Sequence, residues 1–369
     1  MLCGRLAAGG WVRRASVKVA ARPLRYCGAL SKPKRHLLYP PPLLTPLRVL
    51  ATGKALPSQC VTASDLDVRL GQPTGSTLLH SGVSQRYLAA AHESQSQMGA
   101  HALADALQRA DLGVGGIDLL MSACGVPEQA LPCTASLIAH HAGLAQGTPA
   151  FDVNASCLGF LVGLQVAAGL LALGTYRRIA LVSSDMASRG ADWLDPESSL
   201  ILGDGAAAVI VERGDGAQGI AAFKLATYPQ GRAYCEIRAG GTRCNPGQGI
   251  SARDHLFRMN GKAVFKLAAQ AMPAFLAELM AQVPGGLACI DVVVPHQASH
   301  LGMAHIARKL GLPAEKIINI YATHGNQVAA SLPTALHEAC TTGRTPPGTR
   351  ALLIGSAAGV SLGGLVLQF

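Results

Sequence analysis

The chain has 369 residues, of which 49% are hydrophobic, 14% are charged and 42 are glycine, a composition that excludes a largely disordered protein and supplies a sizeable core. Only 4% are aromatic, so small and aliphatic side chains must build that core through close contact between elements, as layered α/β folds do. The 31 Lys and Arg against 21 Asp and Glu give a formal charge of +10, but nine of the basic residues and no acidic one lie in residues 1–46, leaving 22 against 21 in the rest.

The charge excess therefore belongs to a leader, residues 1–46, which is rich in Arg and Pro, contains Pro40-Pro41-Pro42 and is expected to be disordered. Its chemistry suits membrane-surface contact, RNA contact or targeting, and its lack of a regular apolar period favours a dispensable segment. The near-neutral body disfavours a nucleic-acid partner. Two similar α/β halves are expected beyond it, residues 47–217 and 218–369.

In chain order, Leu47 to Pro57 reads as a strand running into a Gly and Pro turn, Ser94 to Ala110 as a helix and Ile117 to Ser122 as a short strand. Phe151-Asp-Val-Asn-Ala-Ser-Cys-Leu-Gly159 is a strand that turns into an apolar helix ending near Gly174, followed by a buried strand at Arg178–Ser183. Gly203-Asp-Gly205 feeds a strand reaching Glu212, and the Gly-rich run 213–219 punctuates the chain. The second half reads as a strand at Ile220–Thr227, a helix at Gly261–Met280, a strand at Cys289–Val294 and a helix at His300–Leu310. A strand at Ile317–Ile320, a helix at Val328–Ala339 and strands at Arg350–Gly355 and Gly363–Phe369 complete it. The strand and helix alternation in both halves predicts a layered α/β fold. Gly113-Val-Gly-Gly116 precedes its strand instead of following it, so the dinucleotide fingerprint is absent.

The apolar run Gly159–Leu173 is interrupted by Gln165 and falls short of a bilayer span, so no transmembrane segment is expected. The ten cysteines form no CxxC pair, which fits a reducing, cytoplasmic compartment. His140 and His141 are adjacent and point different ways on a helix, so no metal site is expected.

Cys157 is the strongest candidate for chemistry. It follows a buried strand at the start of an apolar helix, where unpaired N–H groups and the helix dipole favour a thiolate. His296, in Val292-Val-Val-Pro-His-Gln-Ala-Ser299, is held on a rigid rim behind Pro295; an ordinary buried histidine is the plain alternative. Asn326 follows another expected strand and precedes a helix, where an N-cap is the plain alternative. Ligands collect beyond strand carboxyl ends, and a thiol, an imidazole and an amide meeting there suit covalent acyl transfer. The loop Gly355-Ser-Ala-Ala-Gly359 offers a backbone N–H, Gly359 being the chosen donor, to form an oxyanion hole with that of Cys157.

At these positions the chain resembles the 3-oxoacyl-(acyl-carrier-protein) synthase III family of thiolase-like condensing enzymes. The resemblance spans roughly residues 47–369. It rests on Asp152-Val-Asn-Ala-Ser-Cys-Leu-Gly-Phe160, Gly203-Asp-Gly-Ala206, Met259-Asn-Gly-Lys-Ala-Val-Phe-Lys266, Pro295-His-Gln-Ala298 and Gly325-Asn-Gln-Val-Ala-Ala-Ser331, in that order. It implies a thiolase-like α-β-α-β-α body, a homodimer, no bound cofactor, and acyl-CoA or acyl-carrier protein and malonyl-carrier protein as substrates. Cys157 would take the acyl group, while His296 and Asn326 would hydrogen-bond the malonyl thioester as carbon dioxide leaves. Leu131 would gate the acyl pocket across the dimer interface, and Lys266, Arg308 and Lys309 would dock the carrier.

Some positions depart from the family pattern. A tryptophan and an arginine that help hold CoA in typical members correspond to Ser76 and His80, a basic docking position to Leu301, and a tryptophan before the last glycine pair to Leu362. An acyltransferase passing its acyl group to a non-malonyl acceptor and a non-catalytic acyl-binding partner remain as alternatives.

Overall fold

The computed structural model describes residues 44–369 apart from 245, 246 and 248, so nearly all of the expected leader lies outside the described residues. The first half runs β1 (Thr45–Pro46), β2 (Arg48–Ala55), β3 (Gln59–Thr62), α1 (Ala63–Arg69), α2 (Ser76–Ser81), β4 (Gln85–Leu88), α3 (Gln95–Arg109), β5 (Leu119–Ser122), α4 (Thr134–His141), β6 (Ala150–Asp152), α5 (Gly159–Ala172), β7 (Arg178–Met186), α6 (Pro196–Ser199) and β8 (Asp204–Glu212). The second adds β9 (Gly219–Thr227), β10 (Cys235–Glu236), β11 (Arg258–Met259), α7 (Gly261–Met280), β12 (Val292–Pro295), α8 (His300–Leu310), α9 (Tyr321–His324), α10 (Ser331–Thr341), β13 (Arg350–Ala357) and β14 (Ser361–Gln368).

Two five-stranded sheets carry the body, ordered β2-β8-β7-β5-β6 and β1-β9-β14-β13-β12. β7, β5 and β6 are parallel in the first, as are β12 and β13 in the second. Thr45 and Pro46 pair with Ile220 and Gly219, so two residues assigned to the leader by composition are an edge strand of the second sheet.

The apolar strands are continuous because both of their faces are covered. In β5, Leu119 and Met121 join a central core while Leu120 faces an outer one; in β13, Ala351 and Leu353 face the centre while Leu352 and Ile354 face outward. The central core holds α5 and α10 between the two sheets, with Leu161, Leu164, Leu332 and Leu336 fully buried. α3 and α4 cover the outer face of the first sheet, and α7 and α8 that of the second. Five layers result, α-β-α-β-α. α7 is long and apolar enough by length and composition to cross a bilayer, yet its Met272, Phe275, Leu279 and Met280 are buried in the second outer core.

The strand expected at Ile317–Ile320 is a correction. A single bridge joins Val293 to Ile317, and beyond it the buried Gln297 takes the place of a strand neighbour: its Oε1 accepts the Ile320 N–H at 3.0 Å and its Nε2 donates to the Ile318 carbonyl at 3.2 Å. The expected helix at Val328 starts as a 3-10 turn, Val328–Ala330, before α10.

Candidate active site

The nucleophile turn is built by its own side chains. Asp152 at the end of β6 accepts the N–H groups of Thr134 and Ala135 at 3.0 and 2.7 Å, tying the strand to the start of α4. Asn154 Oδ1 accepts the Ser156 N–H at 2.9 Å, and Ser156 has φ 51°, a left-handed conformation that reverses the chain just ahead of Cys157.

Cys157 precedes the N-cap Leu158 and is half-buried. A lowered thiol pKa was the expectation, and the structure gives the opposite: burial pushes the Cys157 thiol up to about 12, with the Cys235 thiol and the Asp185 carboxylate adding to the rise. The local reason is that Leu158 and Gly159 spend their N–H groups on the Ala155 and Ser156 carbonyls, at 3.2 and 2.9 Å. What opposes burial is the N–H of Cys157 itself and that of Ala358. Ala358 lies in the loop where Gly359 is the expected donor. β13 ends its pairing at Ala357, so Ala358 is the first residue whose N–H is released from the ladder.

His296 lies at the end of β12, where its N–H still donates to Ile354 in β13 at 2.8 Å. A Cβ on Gly355 would lie 2.6 Å from His296 Cβ and 3.3 Å from Leu158 Cδ2. The imidazole and the residue after Cys157 therefore flank the same glycine. His296 is buried, its Nδ1 has no partner among the described residues, and burial pushes its pKa down to about 4, so the ring is neutral.

Asn326 is gripped from both halves. Its N–H donates to Ile201 at 2.7 Å and its carbonyl accepts the Gly203 N–H at 3.1 Å. Its side-chain Oδ1 accepts the Val328 N–H at 2.9 Å, the cap-like role of the plain alternative, while Nδ2 donates to Ala298 at 3.1 Å. Side chains not singled out from the sequence hold this junction. Arg86, wholly buried, donates to the carbonyls of Leu200 and Leu202 at 2.5 and 3.0 Å. Gln327 Nε2 donates to the Asp204 carbonyl at 3.0 Å, and only a residue without a Cβ fits at 205, where one would lie 2.1 Å from that nitrogen. The signal was available in the Gly203-Asp-Gly205 turn, which needs a close neighbour to explain its two glycines.

Leu131 does not join this cluster within one chain; it is 85% exposed on the loop after β5, and Phe151 is exposed on the edge strand β6. Lys266 on α7 and Arg308 and Lys309 on α8 are exposed and have no ion-pair partner among the described residues. Phe265 packs edge-on against His305 at 4.9 Å, which links the two helices. Ser76 and His80 line a cavity of about 470 Å³ together with Arg69, Trp193 and Leu194. No group of three or more metal-ligating side chains occurs among the described residues.

Two family models match the chain: 3-oxoacyl-[acyl-carrier-protein] synthase III over residues 151–229 and its C-terminal model over residues 286–369. The chain is 34% identical over 323 residues to beta-ketoacyl-[acyl-carrier-protein] synthase III 3 of Streptomyces coelicolor, covering 86% of this chain and 95% of that protein. It is 33% identical over 328 residues to beta-ketoacyl-[acyl-carrier-protein] synthase III of Thiobacillus denitrificans, covering 88% and 100%. The solved 3-oxoacyl-[acyl-carrier-protein] synthase III of Aquifex aeolicus superposes with a TM-score of 0.78 at 27% identity, covering 88% of this chain and all of that one. With the five-layered body and the ordered motifs, these likenesses identify the chain as an acyltransferase of the thiolase-like condensing enzymes, belonging to the 3-oxoacyl-[acyl-carrier-protein] synthase III family.

Proposed function

We propose that the protein extends an acyl group by decarboxylative condensation with malonyl-carrier protein, through an acyl thioester on Cys157. In the first step the Cys157 sulfur bonds to the donor's acyl carbon, the donor's C–S bond breaks, and the departing thiolate takes up the cysteine proton. The N–H groups of Cys157 and Ala358 bear on the sulfur and stabilise the oxyanion of the tetrahedral intermediate. His296 and Asn326 then donate to the malonyl thioester oxygen. The bond to the carboxylate breaks, carbon dioxide leaves, and the electron pair on carbon attacks the acyl-Cys157 carbonyl, returning the thiolate.

The observation that carries condensation over simple acyl transfer is a pair of donors on one hydrogen-bonded unit: His296, buried with an Nδ1 that has no partner among the described residues, and Asn326, whose Nδ2 is tied to the His296 loop through the Ala298 carbonyl at 3.1 Å. Two such donors suit the oxygen of a developing enolate, and burial, which pushes the His296 pKa down, keeps the ring uncharged. Decarboxylation supplies its own nucleophile and needs no base. Carbon dioxide released from malonyl-carrier protein in step with loss of the acyl-enzyme tests the reading; transfer to an amine or alcohol without that release would replace it.

The donor reading draws on the 470 Å³ cavity. Trp193 and Arg69 supply there the flat ring and the guanidinium that Ser76 and His80 lack, which favours an acyl-CoA donor over an acyl-carrier donor. Carrier protein, an acidic partner, would dock on the unpaired charges of Lys266, Arg308 and Lys309. A homodimer would pair the β6 edges, covering Phe151 and bringing Leu131 to the partner's acyl pocket. The eight described cysteines are all free thiols, in keeping with a cytoplasmic enzyme.

A further inference from the structure

Asp185 stands one residue before the end of β7, opposite Gly205, and is 2% exposed. It has no cationic partner among the salt bridges of the described residues; backbone N–H groups hold it instead. Oδ1 accepts from Gly125 at 2.9 Å and from Val126 at 3.3 Å, while Oδ2 accepts from Ala330 at 3.2 Å. Burial without a counter-charge pushes the Asp185 carboxyl up to about 7, and the N–H groups of Gly125, Val126, Ala330 and Ala329 oppose that rise.

The two oxygens serve different halves of the chain. From Oδ1 the path runs to Gly125, whose carbonyl accepts from Asn154 Nδ2 at 3.4 Å, and from Asn154 Oδ1 to the N–H of Ser156, the residue before Cys157. From Oδ2 it runs to Ala330, in the turn whose first residue, Val328, donates to Asn326 Oδ1 at 2.9 Å. The two turns also abut directly: a Cβ on Gly125 would lie 2.4 Å from Val328 Cγ1, and Val328 is itself fixed in a left-handed conformation, φ 53°.

We propose that Asp185 is a positioning residue that sets the spacing between the Cys157 turn and the Asn326 amide, one carboxylate oxygen holding each. This rests on the reading that Cys157 and Asn326 act on the same reacting pair. The spacing matters only once both substrates are present: acylation uses the cysteine turn alone, whereas condensation needs the amide in register with the acyl-cysteine, and a displacement of about 1 Å costs on the order of 100-fold in rate.

Asp185→Asn keeps the size and exchanges one acceptor for a donor. The shortest of the bonds, 2.9 Å from Gly125, keeps the amide oxygen on the Oδ1 side, so its NH2 opposes the N–H groups of Ala329 and Ala330; the displacement falls on the Asn326 turn. Rapid-quench intact mass should show acylation of Cys157 at the wild-type rate. Condensation should lose about 100-fold in kcat with little change in KM for malonyl-carrier protein. Val328→Ala, which removes the side chain abutting Gly125 on the Asn326 side and leaves the bonds of the Cys157 turn in place, should give the same split and carries the test should Asp185→Asn fail to fold. Condensation at the wild-type rate in the folded variants, or acylation and condensation falling together, overturns the proposal. Absence of acyl-cysteine in the wild-type enzyme would instead overturn the condensing reading on which it rests.

Discussion

Asn326 donates its side-chain amide to the carbonyl oxygen of Ala298 at 3.1 Å. Ala298 in turn donates its N–H to His296 at 2.9 Å, so the imidazole loop and the amide loop of the second half are one hydrogen-bonded unit set against the Cys157 turn. In the proposed mechanism both side chains act after the acyl group has been taken up. His296→Ala and Asn326→Ala should therefore still form acyl-Cys157, while condensation falls by about 100- to 1,000-fold, the loss expected for one oxyanion donor. Single-turnover mass spectrometry alongside carbon dioxide release checks this, and equal loss of both steps in either variant contradicts it.

Burial of His296 also links stability to pH. Its pKa is pushed down to about 4 from an ordinary 6.5, so between these values the unfolded chain binds a proton that the folded one does not, and this group costs the wild type stability as pH falls from about 6.5 to about 4. The loss is on the order of 3 kcal/mol. His296→Ala should thus gain stability relative to the wild type across that window, read from denaturant midpoints at several pH values. A difference that does not change with pH would refute a neutral, buried imidazole.

Much of this was legible in the chain. The strand, turn and helix around Cys157 and the motifs carrying His296 and Asn326 are local patterns, and local patterns survive folding. The thiol pKa was not legible, because the N–H groups expected to favour a thiolate are consumed by the Ala155 and Ser156 carbonyls. Nor was the approach of the Ala358 N–H to the Cys157 sulfur, since that depends on where the β13–β14 ladder stops. The false strand at Ile317–Ile320 has the right apolar run, and a side chain, Gln297, in place of a neighbouring strand.

The donor cavity carries its own prediction. If Trp193 supplies the stacking face, Trp193→Ala should raise KM for acyl-CoA about ten-fold, as loss of one aromatic contact to a base does. KM for an acyl-carrier donor should not change. Steady-state kinetics with matched acyl chains decides it; an equal effect on both donors would remove the nucleotide from this cavity.

Carrier docking should respond to charge and salt. Reversing Arg308 and Lys309 together (Arg308→Glu, Lys309→Glu) should raise KM for malonyl-carrier protein about ten-fold at low ionic strength, with kcat unchanged. The gap should narrow as salt screens the surface. No change at low salt would move the docking surface elsewhere.

The central claim is a covalent intermediate on Cys157, and intact-mass and peptide mapping of the full chain after incubation with acyl-CoA donors test it most directly. The account predicts one acyl group on the Cys157 peptide, absent in Cys157→Ala and cleared by malonyl-carrier protein with release of one carbon dioxide. Turnover without any adduct on Cys157, or an adduct confined to another cysteine, would contradict it.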